Sequence, residues 1–197
     1  CCCFRLLLQV AADSHGHELI DAADSQEMTS LHYACLQCNY LLAQLLIERG
    51  ADVSKLTSKG QTCVHILCWS TKAGRLDTLQ LLLRYGVQSL LDARDHSQLT
   101  ALHYVARSGD EPLLTMLLSH GASVGAADGG RNTPLHLGAR AGHVAICELL
   151  LNHGAEVEAV NLRGLTPLHA ACAAAGSSNS GGSSSGGDGA GTGAGGE

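Results

Sequence analysis

The sequence predicts an all-α solenoid of stacked helix–turn–helix units joined by outer hairpin loops, and three observations predict it. The motif Thr-x-x-His occurs five times, as TSLH, TCVH, TALH, TPLH and TPLH, ending at His32, His65, His103, His136 and His169 at intervals of 33, 38, 33 and 33 residues. In phase with it, Gly50, Gly86, Gly121 and Gly154 each close an apolar run, 18 residues after the histidine except in the second unit, where the distance is 21. The chain is 45% hydrophobic but only 3% aromatic, so small aliphatic side chains must fill its core, as close helix stacking requires. A fixed period of about 33 residues with a helix-start signal in each copy marks stacked helical repeats.

Each element of the unit has a physical reason, clearest in the last full copy. Thr133 supplies a capping hydroxyl and Pro134 a pre-set φ for a first helix, with Leu135 and Ala139 on its apolar face. Gly142 ends that helix where a positive φ is needed, and Val144, Ile146, Leu149 and Leu150 recur at helical steps in a second helix that Gly154 terminates. Small residues such as Ala34, Cys35, Ala106, Gly138, Ala171 and Cys172 stand where two helices must approach closely. No single unit can bury its own apolar face, so the stack is the folding unit.

On these motifs the chain resembles the ankyrin repeat family, over roughly residues 6–175. The expected domain covers 4–175: a partial repeat at 4–24, repeats at about 25–57, 58–95, 96–128 and 129–161, and a partial repeat at 161–175 that spells TPLHAAC. The tract at 90–106 echoes that at 19–35, so both hairpins share one design. Residues 176–197 are Gly, Ser and Ala with two acids and no apolar periodicity, the composition of a disordered tail. With no initiator methionine and an incomplete unit at each end, the chain reads as a piece of a longer protein.

Five evenly spaced histidines invite a metal or acid–base reading, but equivalent side chains in stacked repeats stand roughly 10 Å apart. A shared zinc needs nitrogens at about 2.0–2.1 Å. The resemblance implies instead that each imidazole braces its own turn through the backbone or the motif threonine. No cofactor or metal is expected. Cys35, Cys68 and Cys172 fall at one repeat position and behave as small core residues, with Cys147 in a second helix. Cys35 and Cys38 form a C-x-x-C downstream of Cys1, Cys2, Cys3, His15 and His17, which leaves a metal site, or oxidation of an exposed Cys38 or of the terminal triplet, as alternatives to inert thiols. Unpaired thiols indicate a reducing intracellular compartment, cytoplasmic and/or nuclear.

A formal charge of −6 lacks the basic footprint of nucleic-acid binding. No apolar run reaches the about 18 residues that span a bilayer. No G-x-x-x-x-G-K or H-E-x-x-H is present, and G-x-S-x-G occurs only as GASVG at 121–125, where Gly121 closes a second helix of the repeat, and as GSSSG at 182–186 in the tail, neither between a strand and a helix, so no enzyme activity is expected. The remaining class is a monomeric protein–protein interaction scaffold, whose function lies in side chains that the repeat does not need for folding.

The second unit carries the departures. Its three extra residues around Ser70–Gly74 are expected to lengthen the turn between its helices, and two more the outer hairpin. It holds the only tryptophan, Trp69, equivalent to Leu36, Arg107, Arg140 and Ala173, a position that the resemblance places on the concave groove. Trp69 is either exposed there or covered by the insertion. Aligning the copies leaves Tyr33, Leu36, Gln37, Lys59, Trp69, Ser70, His96, Gln98, Tyr104, Arg107, Ser108, Arg131, Asn132, Arg140 and Arg163 as candidate partner contacts, rich in the Tyr, Trp and Arg of interface hot spots. The long first hairpin, GADVS at 50–54 and GQTCVH at 60–65 are similar to repeats of the NF-kappa-B precursor and inhibitor group, which would imply masking of a Rel-type transcription factor. The competing reading is a regulatory or substrate-recruiting segment of a larger enzyme, channel or ubiquitin-ligase adaptor.

Overall fold

The computed structural model describes residues 20–177, and side chains to residue 174. The expectations for residues 4–19, for Cys1, Cys2, Cys3, His15 and His17, and for the tail beyond residue 177 lie outside them. The described residues form helical pairs: α1 (Ser30–Leu36) with α2 (Tyr40–Glu48), α3 (Cys63–Trp69) with α4 (Arg75–Arg84), α5 (Ala101–Ser108) with α6 (Glu111–Ser119), α7 (Pro134–Ala141) with α8 (Val144–Asn152), and then α9 (Pro167–Ser177). The first helices pack in the series α1, α3, α5, α7, α9 and the second helices in the series α2, α4, α6, α8, giving two layers.

The motif threonine and histidine start the first helices together. Thr29, Thr62, Thr100 and Thr133 are N-caps, and His32, His65, His103 and His136 stand three residues on, closing a reciprocal capping box. In the third of these the Thr100 amide donates to His103 Nδ1 at 3.1 Å. That leaves the ring proton on Nε2, which donates to the Asn132 carbonyl of the next repeat at 3.1 Å. His136 reaches Leu165 O in the same way at 3.0 Å, 29 residues along the chain. His65 reaches Leu99 O at 3.0 Å across 34 residues, because the second unit is longer. His65, His103 and His136 therefore each cap their own helix and tie it to the next unit, while His32 Nε2 lies 3.1 Å from Lys55 O at the end of its own.

Between the layers, Leu31, Leu46, Leu67, Leu79, Leu82, Leu102, Leu113, Leu114, Leu117, Ile146 and Leu150 are fully buried. Among the described residues every buried side-chain nitrogen and oxygen has a hydrogen-bond partner. The turn between α3 and α4 runs from Ser70 to Gly74 and so takes up the three extra residues, while the lengthened hairpin contains a short 3-10 turn, Val87–Leu90. Packed helices cannot absorb insertions without breaking the layer, so the added chain goes to the connections.

Cys38 is buried, contrary to the exposed thiol considered from sequence. It is 8% accessible, and its Sγ lies 3.4 Å from Ser70 Oγ. Its φ of 52° places it in the left-handed conformation that Gly109 and Gly142 adopt at the equivalent step of later repeats. Closing the first helix in that conformation turns the side chain onto the next repeat rather than to solvent.

Candidate binding groove

A groove runs between the row of hairpin tips and the row of first helices. The tips are built by a residue five positions before each motif threonine. Asp95 Oδ1 accepts the amides of Ser97 and Leu99 at 2.8 and 2.9 Å, and Asp128 Oδ1 those of Gly130 and Asn132 at 2.8 and 2.7 Å. Asp24, Thr57 and Asn161 repeat the arrangement with Oδ1, Oγ1 and Oδ1. These bonds fold each tip into an Asx- or Thr-type turn. Its apex is left-handed at Glu27, Gly60, Gln98, Arg131 and Gly164. Only Gly60 is held to glycine by space as well, because a Cβ there would lie 2.7 Å from His96 Cδ2.

Neighbouring tips are joined edge to edge by backbone bonds, Ser58 N to Gln26 O, His96 N to Lys59 O, Gly129 N to Ser97 O and Leu162 N to Gly130 O, at 2.9 to 3.1 Å. Together with the histidine ties they hold the tip row in fixed register with the helices. The signal for the tip residues was present in the sequence: positions 24, 57, 95, 128 and 161 keep the same intervals as the histidines.

Two clefts open along the groove. The first, of about 360 Å³, is lined by Lys59, Trp69, His96, Tyr104 and Arg107 with Ser58, Gln61, Asp95 and Ser97. Trp69 is 59% accessible, so the insertion does not cover it. The Arg107 guanidinium carbon stands 5.5 Å from the Tyr104 ring centre. The second cleft, of about 550 Å³, is lined by Asn132, Arg140, Arg163 and Leu162 over a floor that includes Leu165, Ala170 and Ala173.

The remaining candidate residues take varied places. Gln98 and Arg131 stand exposed at tip apices, and Ser108 is exposed at the end of α5 with its hydroxyl on Val105 O at 3.1 Å. Tyr33 is partly exposed and donates to Asp24 Oδ2 at 2.6 Å. That hydroxyl, with the Met28 and Gln26 amides, lowers the Asp24 carboxyl below its ordinary range, and the same bond raises the Tyr33 phenol. In the first repeat Leu36 is half-buried and Gln37 is exposed, bonded through its side-chain oxygen to Lys72.

Three of the candidates are engaged inside the fold. Ser70 is buried, donating to Leu36 O at 2.9 Å and receiving the Lys72 amide at 3.3 Å, because the inserted turn folds back on α1. Tyr104 is 8% accessible and donates to Asp95 Oδ2 at 2.6 Å while accepting from Gln61 at 2.9 Å. Burial, ahead of the Asp95 bond, pushes its phenol up to about 12. Asn132 spends its amide nitrogen on Asp128 and its oxygen on Asn161, which lies 2.9 Å away. These three shape the groove from beneath. Sequence alignment of the copies missed Arg75, which donates to Ser70 O at 3.0 Å and pairs with Asp110 at 2.5 Å, since arginine stands there only in the unit with the longer turn.

Among the described residues no group of three or more His, Cys, Asp or Glu side chains is placed to hold a metal, and Cys35, Cys63 and Cys68 are buried free thiols. A family model for ankyrin repeats in many copies matches residues 31–73, 70–118, 102–151 and 139–178.

The chain belongs to the ankyrin repeat family. Ankyrin repeats form protein–protein interaction modules that are generally non-catalytic. The chain is 33% identical to human inversin over 126 residues, covering 64% of this chain and 11% of inversin. It is 28% identical to the Hydra vulgaris tyrosine-protein kinase HTK16 over 116 residues, 59% of this chain and 15% of the kinase. It is 30% identical to the chicken nuclear factor NF-kappa-B p105 subunit over 123 residues, 62% of this chain and 12% of that protein. The match thus spans a small part of each relative, and ankyrin repeats in these proteins are parts of larger chains. Among the described residues of this ankyrin chain no helix is long and apolar enough to cross a membrane.

Proposed function

We propose that this chain is a monomeric, non-catalytic interaction scaffold that captures a protein partner in the groove between its tips and first helices. Its ankyrin domain is taken as residues 4–175, and its place of action as the cytoplasm and/or nucleus. The observation that carries the reading is Trp69, 59% accessible at a position where packing makes no demand on it, in one cleft with Arg107. Large aromatic and arginine side chains contribute most of the binding energy at interfaces. The tips are cross-braced by backbone bonds, so the groove is preorganised and little ordering entropy is lost on binding. Within a larger protein, such a segment would recruit a partner for an activity located elsewhere. The match to p105 favours masking of a Rel-type transcription factor as a second reading; matches of similar strength to inversin and to a kinase favour the broader one.

The test is affinity capture from cell extract with the whole chain and with W69A and R107A. The expected result is loss of one or more captured proteins from both variants with unchanged thermal melting. Capture indifferent to both substitutions would remove the groove from the interface.

A further inference from the structure

The two clefts of the groove carry positive charge. The whole chain is acidic, at −6, yet the first cleft presents Lys59 and Arg107 and the second Arg140 and Arg163. None of these four forms an ion pair among the described residues, where the one pair is Arg75 with Asp110. Asp95, the carboxylate lining the first cleft, is 4% accessible and has both oxygens taken by the Ser97 and Leu99 amides and the Tyr104 hydroxyl. The exposed acids Glu48, Asp77, Glu111 and Glu148 lie on the second helices, and the exposed tip acids Asp24 and Glu27 belong to the first hairpin and line neither cleft. In each cleft one cation comes from a hairpin tip and one from the end of a first helix. An unpaired cation pair facing a cavity favours a carboxylate between them.

We propose that the groove recognises an extended acidic segment of its partner, with an apolar side chain on Trp69 and carboxylates at intervals of three residues beside Arg107 and Arg140. This rests on the groove being the binding face. The spacing follows from geometry: equivalent positions of stacked helices are roughly 10 Å apart, and an extended chain advances about 3.3 Å per residue. A peptide crossing the repeats therefore meets Trp69, Arg107 and Arg140 at every third residue. Polynucleotides are disfavoured, because the acidic second helices and net charge repel a phosphate chain that extends beyond the groove.

The probes are fluorescein-labelled peptides of about twelve residues, one with a leucine followed by glutamate at every third position, one with glutamine in place of glutamate. Fluorescence polarisation with the whole chain at about 0.1 M salt is expected to show binding of the glutamate peptide, at least tenfold stronger than its glutamine counterpart. The double variant R107E/R140E is expected to lower affinity at least tenfold at unchanged helicity and melting temperature, whereas R84E, on a second helix, leaves it unchanged. Equal binding of the two peptides, binding of neither, indifference to R107E/R140E, or tighter binding of an oligothymidylate of equal charge each overturns the proposal. A protein captured from extract and lost on W69A would keep the groove as the binding face even then, so the two failures are distinguishable.

Discussion

Arg75 Nη2 lies 2.5 Å from Asp110 Oδ2, joining the lengthened second unit to the start of α6 in the next one. Asp110 is also the N-cap of that helix, its Oδ1 accepting the Leu113 amide at 3.1 Å. Arg75 further holds the inserted turn through Ser70 O. One guanidinium therefore fastens the insertion on one side and a helix cap on the other, and the departure from the regular repeat is built into the stack.

R75M is expected to destabilise the chain by about 1–2 kcal/mol, more than a fully exposed pair would, since both partners are mostly buried. Urea denaturation compares it with D110N, which keeps a capping oxygen; the double variant should cost less than the sum. Additive losses would mean that the two residues do not act together.

Acid should loosen the stack through its capping histidines. Burial lowers the pKa of His32, His65 and His103 below the ordinary 6.5. A proton on Nδ1 would also oppose the threonine amide that donates to it. The unfolded chain then binds more protons than the folded one below about pH 6.5, so this contribution is present above that pH and is lost as pH falls toward the folded values. Denaturant midpoints measured from pH 7.5 down to 5 are expected to fall, and H103Q to fall less steeply. A midpoint flat over that range contradicts the assignment.

H103A removes both the cap and the bond to Asn132 O and is expected to cost about 1–3 kcal/mol. An exposed counterpart is His169, whose ring caps through Thr166. H169A should cost less, as a parallel melt would show.

Tip apices separate strain from contact. Gly60→Ala puts a Cβ against His96 at a φ of 70° and is expected to cost about 1–2 kcal/mol. Gln98→Gly, at a φ of 61°, relieves a left-handed non-glycine and should be neutral or stabilising by up to about 1 kcal/mol. Thermal melts of the two, read together, check the sign of each.

Thiol chemistry should follow burial. Burial raises the Cys68 thiol well above its ordinary value, and the bond to Cys63 together with burial raises Cys35. Iodoacetamide on the native chain near pH 8 is expected to modify exposed Cys172 and to leave Cys35, Cys63 and Cys68 until denaturant is added. Peptide mass mapping reads the order.

By itself the sequence determined the repeat architecture, the helix starts and the destination of the inserted residues, because these follow from local chemistry recurring at one period. The Thr–His capping box, for one, lies within four residues. Only the tertiary structure decided which polar side chains are left for a partner. Ser70, Tyr104 and Asn132 looked like variable surface residues, yet their hydrogen bonds go to Leu36, Asp95 and Asn161, partners 9 to 34 residues away. Whether a polar group is spent internally depends on what a neighbouring unit brings within about 3 Å, and a repeat alignment compares equivalent positions without recording which of them touch. The same limit hid the cation pairs: Lys59 and Arg107 line one cleft, and Arg163 and Arg140 the other, because tips and helices from different parts of the chain close around each.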